Sequence, residues 1–275
     1  MGKKSIRDVS LTINIRTMSK SVVAVIMAGG VGKRMESNLP KVLHKVNGIP
    51  MINRIILTLN NLSYFVQLEK VIIVVGKHKE EIRSSIEKQV NLPKIVYVTQ
   101  EEPLGTGHAV MCCQSELNRT PNADVLILSG DVPLLSATTM LSLINMKSAV
   151  KLITTVMDDP TGYGRIVTTD GNFDKIVEHK DCTPHQLHIY TVNCGIYCMK
   201  SDLMCKYFKY LTNNNSQAEY YLTDLVEIIK REDGLCVDML EMESNKKYEI
   251  MGVNTAEQLC ELEKLLKKID NGSVK

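Results

Sequence analysis

VVAVIMAGGVGKRM, residues 22–35, joins a short apolar run to a group of glycines and basic side chains. Residues 22–27 predict a buried strand, because the run is short and rich in β-branched residues. The run is followed at once by Gly29, Gly30, Gly32, Lys33 and Arg34. Glycines let the backbone approach a ligand with its N–H groups exposed, and the two cations add positive charge. The stretch predicts a cradle for phosphate groups; the alternative is a plain glycine-rich turn between strand and helix.

Two well-known phosphate-binding loops do not fit this stretch. A P-loop would need a glycine at position 27 and a Ser or Thr after the lysine, where this chain has Met27 and Arg34. A dinucleotide-binding loop counted from Gly30 would need another glycine at position 35, which is Met35. The sequence therefore favours neither a P-loop ATPase nor a dehydrogenase.

The first half of the chain alternates between strand and helix patterns. Further strands are predicted at residues 71–75, 95–99 and 125–128, and helices at residues 51–65, 80–89 and 107–117. This alternation predicts an α/β fold with a Rossmann-like, doubly wound, mostly parallel sheet and helices on both faces. Ligands are then expected at the carboxyl ends of the strands.

The second half of the chain does not alternate between strand and helix patterns in this way. Shorter strands, separated by Gly, Pro and Asp, are predicted at residues 152–157, 165–168, 173–178 and 190–199. They indicate a smaller mixed-sheet insertion. A helix at residues 222–231, a strand at 236–241 and a last helix at 255–269, which Thr255 can cap, complete the chain. We predict an N-terminal arm, residues 1–20, and one domain, residues 21–270, with parts at 21–150, 151–254 and 255–269.

Composition narrows the class of protein. The 33 basic and 31 acidic residues leave a net charge of only +2, which argues against nucleic-acid binding through a broad basic face. No apolar run approaches the ~18 residues of a membrane span, and residues 1–20 lack the apolar core of a signal peptide. The eight cysteines form no CxxC pair, and His185 and His188 lack partners at zinc-ligand spacing. A cytoplasmic enzyme is expected.

Further blocks follow the glycine loop in a characteristic order. They are LPKVLH at 39–44, QEEPLGTGHA at 100–109, SGDVP at 129–133, PTGYGRI at 160–166, IVEHKD at 176–181, VNCGI at 192–196, NNNSQAEYYLTD at 213–224 and MGVNT at 251–255. In this order they resemble the nucleotidyltransferases that join a sugar 1-phosphate to a nucleotide. The similarity is greatest to the N-acetylglucosamine-1-phosphate uridyltransferases and extends over about residues 21–260.

The resemblance implies a nucleotide-binding half at residues 21–150. Its implied UTP-binding residues are Ala28, Gly29, Gly30, Gly32, Lys33, Gln100, Gly105, Thr106 and Gly130. Arg34 and Lys41 are the implied catalytic cations, which contact the phosphates and neutralise charge on the leaving group. The Gln100 amide both donates and accepts hydrogen bonds, as a reader of the uracil edge must. Lys33 stands where these enzymes usually have threonine.

The resemblance also implies a metal site and a sugar-binding half at residues 151–254. Asp131 and Asn254 are the implied Mg²⁺ ligands, and Mg²⁺ does prefer such oxygen atoms together with substrate phosphates. The implied sugar-binding residues are Gly164, Glu178, Asn193 and Thr223, and Glu219, Tyr220 and Tyr221 are expected near the same place. Cys194 departs from the threonine common in this family.

The implied reaction is uridylyl transfer from UTP to N-acetylglucosamine 1-phosphate, which yields UDP-N-acetylglucosamine and pyrophosphate. The sugar phosphate is itself the nucleophile, so no protein nucleophile or base is required. The alternatives are another sugar phosphate, another nucleotide, or a non-catalytic relative that keeps the fold. The hexapeptide repeats of an acetyltransferase domain do not occur in these 275 residues, so acetyl transfer is not expected. The oligomeric state stays open.

Overall fold

The structure is a computed structural model that describes residues 20–30, 32–35, 37–88 and 94–270. Three predicted features lie outside the described residues. They are residues 1–19 of the predicted arm, Gln89 at the end of a predicted helix, and the side chain of Lys33. The strands are β1 Ser21–Met27, β2 Lys45–Val46, β3 Ile49–Pro50, β4 Gln67–Val75, β5 Ile95–Thr99, β6 Asp124–Ser129, β7 Val150–Val156, β8 Arg165–Thr169, β9 Asn172–Val177, β10 Thr191–Lys200 and β11 Val237–Glu241.

The helices are α1 Met51–Leu62, α2 Lys79–Glu87, α3 Thr106–Met111, α4 Gln114–Leu117, α5 Ala137–Asn145, α6 Ser201–Tyr207, α7 Leu222–Asp233 and α8 Ala256–Asp270. Short 3₁₀ turns occupy Lys33–Met35, Lys41–Leu43, His179–Asp181, Gln186–His188, Phe208–Tyr210 and Ser244–Ile250. Among the described residues, no helix combines the length and apolar character needed to cross a membrane.

One large sheet organises the described part of the chain. Its strand order is β11-β7-β10-β6-β1-β4-β5, and the β8–β9 hairpin is attached to β10. Strands β6, β1, β4 and β5 are parallel to one another, β7 is parallel to β11, and β10 is antiparallel to both of its neighbours. The predicted mostly parallel sheet is thus confirmed. The mixed portion is continuous with it, because β7, β10 and β11 extend the same sheet.

Both faces of the sheet are covered, which explains the uninterrupted apolar sequence of β1. Val22, Ala24 and Ile26 belong to one buried cluster, whereas Val23 and Val25 belong to another on the opposite face. This alternation follows from the two-residue period of a strand. Helices α1, α2 and α5 cover the first face, and helices α3, α4, α6 and α7 cover the second.

Most predicted elements are present, with shifted ends. The helix predicted at residues 107–117 is two helices, α3 and α4, because the chain tightens where the Cys113 N–H bonds to the Val110 carbonyl three residues back (3.0 Å). The helix predicted at 51–65 ends at Leu62. Helices α5 and α6 were not predicted. The Thr255 hydroxyl accepts a bond from the Gln258 N–H (3.3 Å), so the predicted cap of α8 is confirmed.

Candidate functional site

Two adjoining cavities open at the carboxyl ends of β1 and β6. The first cavity, of about 230 Å³, is lined by the glycine loop, Gln100 and the start of α3. The second cavity, of about 370 Å³, lies between residues 161–164, the 193–195 segment of β10, the start of α7 and residues 250–258. Both cavities share Met27, Thr106, Ser129 and Asp131 as lining residues. Two ligands bound in them would therefore meet beside Asp131.

The glycine loop is shaped by close backbone packing. Gly32 has φ of +65°, and a Cβ atom there would lie 2.7 Å from Cβ of Lys41. At Gly130 a Cβ atom would lie 2.8 Å from both the Met27 carbonyl oxygen and Val42. Gly30, in contrast, has nothing within 4 Å of a Cβ position. Gly32 and Gly130 thus support the cavity wall from behind, whereas Ala28, Gly29 and Gly30 line it.

Gln100 and Gly105 form the opposite wall of the first cavity. Gln100 is buried, and its Nε2 amide donates to the Gly105 carbonyl (3.1 Å) and lies 3.1 Å from His108 Nδ1. Gly105 has φ of +111°, and a Cβ atom there would lie 2.5 Å from the Tyr220 carbonyl oxygen. The Thr106 hydroxyl accepts a bond from the Leu222 N–H (3.2 Å), which ties the start of α3 to the start of α7.

The predicted cations and metal ligands meet at the junction of the two cavities. Lys41 Nζ forms a short ion pair with Asp131 Oδ2 and also donates to Asn254 Oδ1 (3.0 Å). Arg34 donates to the same Asn254 oxygen (3.1 Å). Asn254 comes close to Asp131 because the Val253 N–H bonds to the Asp131 carbonyl (2.9 Å). These four side chains form one cluster, although 220 residues separate the first from the last.

The junction offers hard oxygen ligands for a metal ion. One carboxylate oxygen of Asp131 and the amide oxygen of Asn254 both lie within bonding distance of a single cation, the Lys41 ammonium group. Such a set fits a divalent ion that keeps positions for substrate oxygens and water. Among the described residues there is no group of three or more His, Cys, Asp or Glu side chains arranged for a metal. An ion held here would therefore need further oxygens from bound phosphates.

A kink in β10 builds the floor of the second cavity. The pairing of β10 with β7 shifts between Asn193 and Tyr197, and Gly195 inside this stretch has φ of +71°. The shift turns residues 193–195 into the cavity. Asn193 is largely paired already, since its Nδ2 donates to the Tyr197 hydroxyl (2.7 Å) and its Oδ1 accepts from the Gly195 N–H (3.2 Å).

Glu178 and Thr223 lie side by side in the lining of the second cavity. The Thr223 hydroxyl donates to Glu178 Oε1 (3.0 Å), and the Gly164 backbone packs beside this pair, since a Cβ atom there would lie 3.5 Å from Glu178 Oε2 and 2.9 Å from Ile176 Cγ2. Burial raises the pKa of Glu178, and the bond from Thr223 partly opposes that shift. The cavity therefore holds a carboxylate that is easier to protonate than an exposed one.

Several contributors were not predicted from the sequence. Ser129 donates to Asp131 Oδ1 (2.6 Å), and Gln258 Oε1 accepts from the Asn254 N–H (2.7 Å). Arg165 is buried beneath the loop at 160–164, where its guanidinium group donates to the Pro160 carbonyl (2.7 Å). Ser129 lies in the SGDVP block, two residues before Asp131, so the sequence could have predicted its contact with the carboxylate. Glu219, expected beside the sugar, instead lines the first cavity.

The site residues predicted from the sequence are brought together with few exceptions. Those that line a cavity are Ala28, Gly29, Gly30, Arg34, Lys41, Gln100, Gly105, Thr106, Asp131, Gly164, Glu178, Asn193, Thr223 and Asn254. Gly32 and Gly130 pack behind the lining, and nothing is described of the Lys33 side chain. Their roles towards ligands stay predictions.

The chain is similar in sequence and in fold to known proteins. The chain is 42% identical over 255 residues to a probable UDP-N-acetylglucosamine pyrophosphorylase of Acanthamoeba polyphaga mimivirus, covering 91% of this chain and 98% of that protein. It is 39% identical over 251 residues to the bifunctional protein GlmU of Clostridium botulinum (strain Eklund 17B), covering 89% of this chain. This chain spans about half of that relative, 52% of its length.

The fold is shared with solved structures. An inositol-1-phosphate CTP transferase of T. maritima superimposes with a TM-score of 0.68 at 14% identity, over 91% of this chain and 96% of that one. This likeness confirms the fold alone. The family model described as nucleotidyl transferase matches residues 23–269. Because that match spans most of the 275 residues, and because the mimivirus relative is aligned almost end to end, the chain belongs to the nucleotidyl transferase family.

Proposed function

We propose that this protein transfers a uridylyl group from UTP to N-acetylglucosamine 1-phosphate and releases pyrophosphate. The observation that carries the proposal is the meeting of two cavities at Asp131, with Lys41 and Arg34 at the junction. A nucleotide in the first cavity and a sugar phosphate in the second would place their phosphates together among these cations. The names of the mimivirus and Clostridium relatives support the choice of substrates.

The chain's own groups act by positioning and by neutralising charge. The phosphate of the sugar attacks the α-phosphorus of UTP, one P–O bond forms, and the bond to pyrophosphate breaks. Negative charge accumulates on the leaving group, where Arg34 and Lys41 can donate hydrogen bonds. Holding both phosphates in line supplies a large part of the rate enhancement. No proton has to be removed from the nucleophile, so the reaction does not need a base.

We propose that Asp131 and Asn254 hold a Mg²⁺ ion. The ion would supply positive charge that neutralises the substrate phosphates. An ion held there would displace Lys41 from Asp131, because Lys41 now bonds to both ligand oxygens. Its flexible four-carbon side chain then becomes free to reach the phosphates of UTP. Ser129 would keep the other carboxylate oxygen of Asp131 oriented.

Base recognition is proposed for Gln100. Its amide nitrogen is engaged with Gly105 and His108, while its Oε1 atom lies on the side of Gly29, 3.4 Å from a Cβ position there. The fixed amide presents one defined acceptor to the cavity. A uracil N–H group is a suitable donor for that acceptor.

Sugar recognition is proposed for Glu178, Thr223, Asn193 and the backbone at Gly164. The Glu178 carboxylate can accept hydrogen bonds from ring hydroxyls. The side chain of Asn193 is held by Tyr197 and by the Gly195 N–H, so it is presented in one orientation. A pre-oriented amide of this kind suits an acetamido group, which both donates and accepts.

The test is pyrophosphate release with a panel of substrates and Mg²⁺. UTP, dTTP, CTP, ATP and GTP are each paired with the 1-phosphates of N-acetylglucosamine, glucosamine, glucose and N-acetylgalactosamine. The highest kcat/KM is expected for UTP with N-acetylglucosamine 1-phosphate. A higher value for another pair would replace the substrates but keep the reaction class. No turnover with any pair would favour a non-catalytic relative, against which the presence of Arg34, Lys41, Asp131 and Asn254 argues.

A further inference from the structure

A third cavity lies at the other end of the sheet from the two described above. It opens where β1, β6 and β7 begin and where the antiparallel β10 ends. Its volume is about 320 Å³. Because β1 and β6 are each six or seven residues long, about 20 Å of strand separates it from the glycine loop. A ligand in the third cavity would not compete directly with substrates.

Four lysines and one carboxylate line this cavity: Lys20, Lys147, Lys151, Lys200 and Asp124. Their formal charges leave an excess of three positive charges in the lining. Asp124 is 1% exposed, and its Oδ1 atom is shared between Lys151 (3.2 Å) and Lys200 (3.1 Å). One carboxylate therefore serves two ammonium groups.

The ammonium groups have few oxygen acceptors for their hydrogens. Lys20 Nζ (2.6 Å) and Lys151 Nζ (3.1 Å) both donate to the Ile144 carbonyl, and Lys200 Nζ also donates to the Asn122 carbonyl (3.2 Å). Within the described part of the chain, these carbonyls and Asp124 Oδ1 are the oxygen partners of three ammonium groups that carry nine N–H bonds. Lys151, which is 1% exposed, also hydrogen-bonds with the Cys198 thiol, so the donors that are left over belong to Lys20 and Lys200.

The surrounding acidic groups do not supply the missing hydrogen-bond acceptors. Glu69 accepts from the Ser21 hydroxyl (2.9 Å), and Asp238 accepts from the backbone and hydroxyl of Ser148 (2.9 and 2.7 Å). Asp202 similarly accepts from the Asn122 N–H (3.1 Å). These carboxylates fix the walls, and they stand outside the lining. Burial lowers the pKa of Lys20, and the nearby Lys151 ammonium group adds to that shift.

We propose that the third cavity binds a small multivalent oxyanion with one or two phosphate groups. Such an anion offers several acceptor oxygens to the unpaired N–H groups and relieves the repulsion among the lysines. Lys20 and Lys200 offer their unpaired N–H groups to the ligand from the rim, and the buried Lys151 adds positive charge at the bottom of the cavity. This proposal is independent of the proposed reaction, because it uses none of the residues assigned to it.

The test measures pyrophosphate and inorganic phosphate binding by calorimetry, without divalent metal. The protein carries Arg34→Gln and Lys41→Gln so that binding at the junction is weakened. One equivalent of pyrophosphate is expected to bind. Adding Lys20→Gln and Lys200→Gln should weaken this binding at least tenfold, whereas the exposed control pair Lys88→Gln and Lys209→Gln should change it less than twofold. Comparable affinities for phosphate and pyrophosphate would indicate a ligand with one phosphate group, and tighter pyrophosphate binding a diphosphate.

A second measurement needs no substitution. Lysine acetylation by a water-soluble reagent, followed by mass spectrometry, should slow at Lys20 and Lys200 when pyrophosphate is added, and should not change at Lys88. Failure of the junction variant to bind either anion would overturn the proposal. Equal weakening by the rim pair and the control pair, or absence of protection at the rim, would overturn it as well.

Discussion

The walls of the first and second cavities are formed by different parts of the chain. The first is shaped mainly by backbone, with the glycine loop on one side and Gly105 pressed against Tyr220 on the other. The second is shaped by side chains that already bond to one another, such as Thr223 with Glu178 and Asn193 with Tyr197. Nucleotide binding should therefore depend on backbone conformation. Sugar selection should depend on pairs of side chains.

The largest effect is expected at the junction, where both cavities depend on one residue. Asp131→Asn keeps the shape of the side chain but removes its charge. We expect kcat for pyrophosphate release to fall by at least about two to three orders of magnitude, the usual cost of losing a preorganised charged group at the reacting phosphates. Steady-state kinetics at saturating UTP and sugar phosphate measure it.

The matched control is Glu241→Gln, which removes one carboxylate at the exposed end of β11. It should leave kcat unchanged. Circular dichroism should show both variants folded, since Asp131 is not needed to fill the core. Unchanged turnover in Asp131→Asn would refute the metal assignment, and loss of the folded signal would make Asp131 a structural residue.

The next effect concerns the choice of sugar. Asn193→Ala should reduce the kcat/KM preference for N-acetylglucosamine 1-phosphate over glucose 1-phosphate by roughly 10- to 100-fold, equivalent to about 1–3 kcal/mol for lost hydrogen bonds at a buried polar group. It should also destabilise the fold, because it leaves the buried Tyr197 hydroxyl without its Asn193 partner. Kinetics with both sugars and thermal unfolding separate the two consequences.

Adding Tyr197→Phe to Asn193→Ala removes the stranded hydroxyl. The double variant should regain much of the lost stability but keep the reduced sugar preference. If the sugar preference recovers together with stability, Asn193 acts only by maintaining the fold. If the sugar preference is unchanged in Asn193→Ala itself, the Asn193 amide does not distinguish the two sugars.

A smaller effect compares two glycines of the first cavity. Gly105→Ala should destabilise the protein by about 1–3 kcal/mol, because φ is +111° there and the new Cβ would lie 2.5 Å from the Tyr220 carbonyl. Gly30→Ala should change stability by less than about 0.5 kcal/mol, since nothing lies within 4 Å. Denaturant unfolding measures both.

The same pair of variants tests whether the glycine loop contacts the nucleotide. If UTP approaches the backbone at Gly30, the methyl group should raise KM for UTP in Gly30→Ala without affecting the fold. An unchanged KM for UTP in that variant would mean that the loop does not touch the nucleotide at this position.

The smallest effect is a shift in pH dependence. The ionised Glu178 carboxylate accepts stronger hydrogen bonds from sugar hydroxyls than its protonated form does, and burial raises its pKa, so kcat/KM for the sugar phosphate should fall in mild acid. Thr223→Val removes a donor that favours the charged form. The pKa then rises further, and the acidic fall in kcat/KM should move to higher pH. Thr223→Ser keeps the hydroxyl and should behave like the unaltered protein.

Asp224 also titrates in mild acid, because burial and then Glu227 raise its pKa to about 6. The comparison of the Thr223 variants should therefore be repeated with Asp224→Asn. A shift that persists in this background belongs to Glu178. A shift that disappears would assign the acidic fall to Asp224 and contradict the role given to Glu178.

The sequence predicted the inner parallel strands β1, β4 and β6 well because both of their faces are buried, and continuous apolar runs such as residues 22–27 and 71–75 indicate that burial. It did not reveal α5, whose stretch includes two threonines and whose start depends on the Ser136 hydroxyl accepting the Thr139 N–H. It also gave no sign of the kink in β10. A pairing shift depends on the neighbouring strand, and that neighbour is far away in the chain.

The site itself was predictable where it is local. The glycine loop is contiguous, so its residue types alone suggested phosphate contacts, whereas base contacts at the block 100–109 were implied by the resemblance to a family. Asn254 could be assigned only through resemblance to a family, since its approach to Asp131 depends on the Val253 N–H bond. Lys151 fell outside the predicted strand at 152–157, and its burial beside Asp124 follows from the sheet order.

The central claim is that both substrates bind together and that the uridylyl group passes directly between them. The decisive measurement is exchange of labelled pyrophosphate into UTP, with Mg²⁺ present and sugar phosphate carefully removed. Direct transfer predicts no exchange until N-acetylglucosamine 1-phosphate or UDP-N-acetylglucosamine is added. Exchange in the absence of any sugar compound would show a uridylylated protein intermediate and would contradict the account.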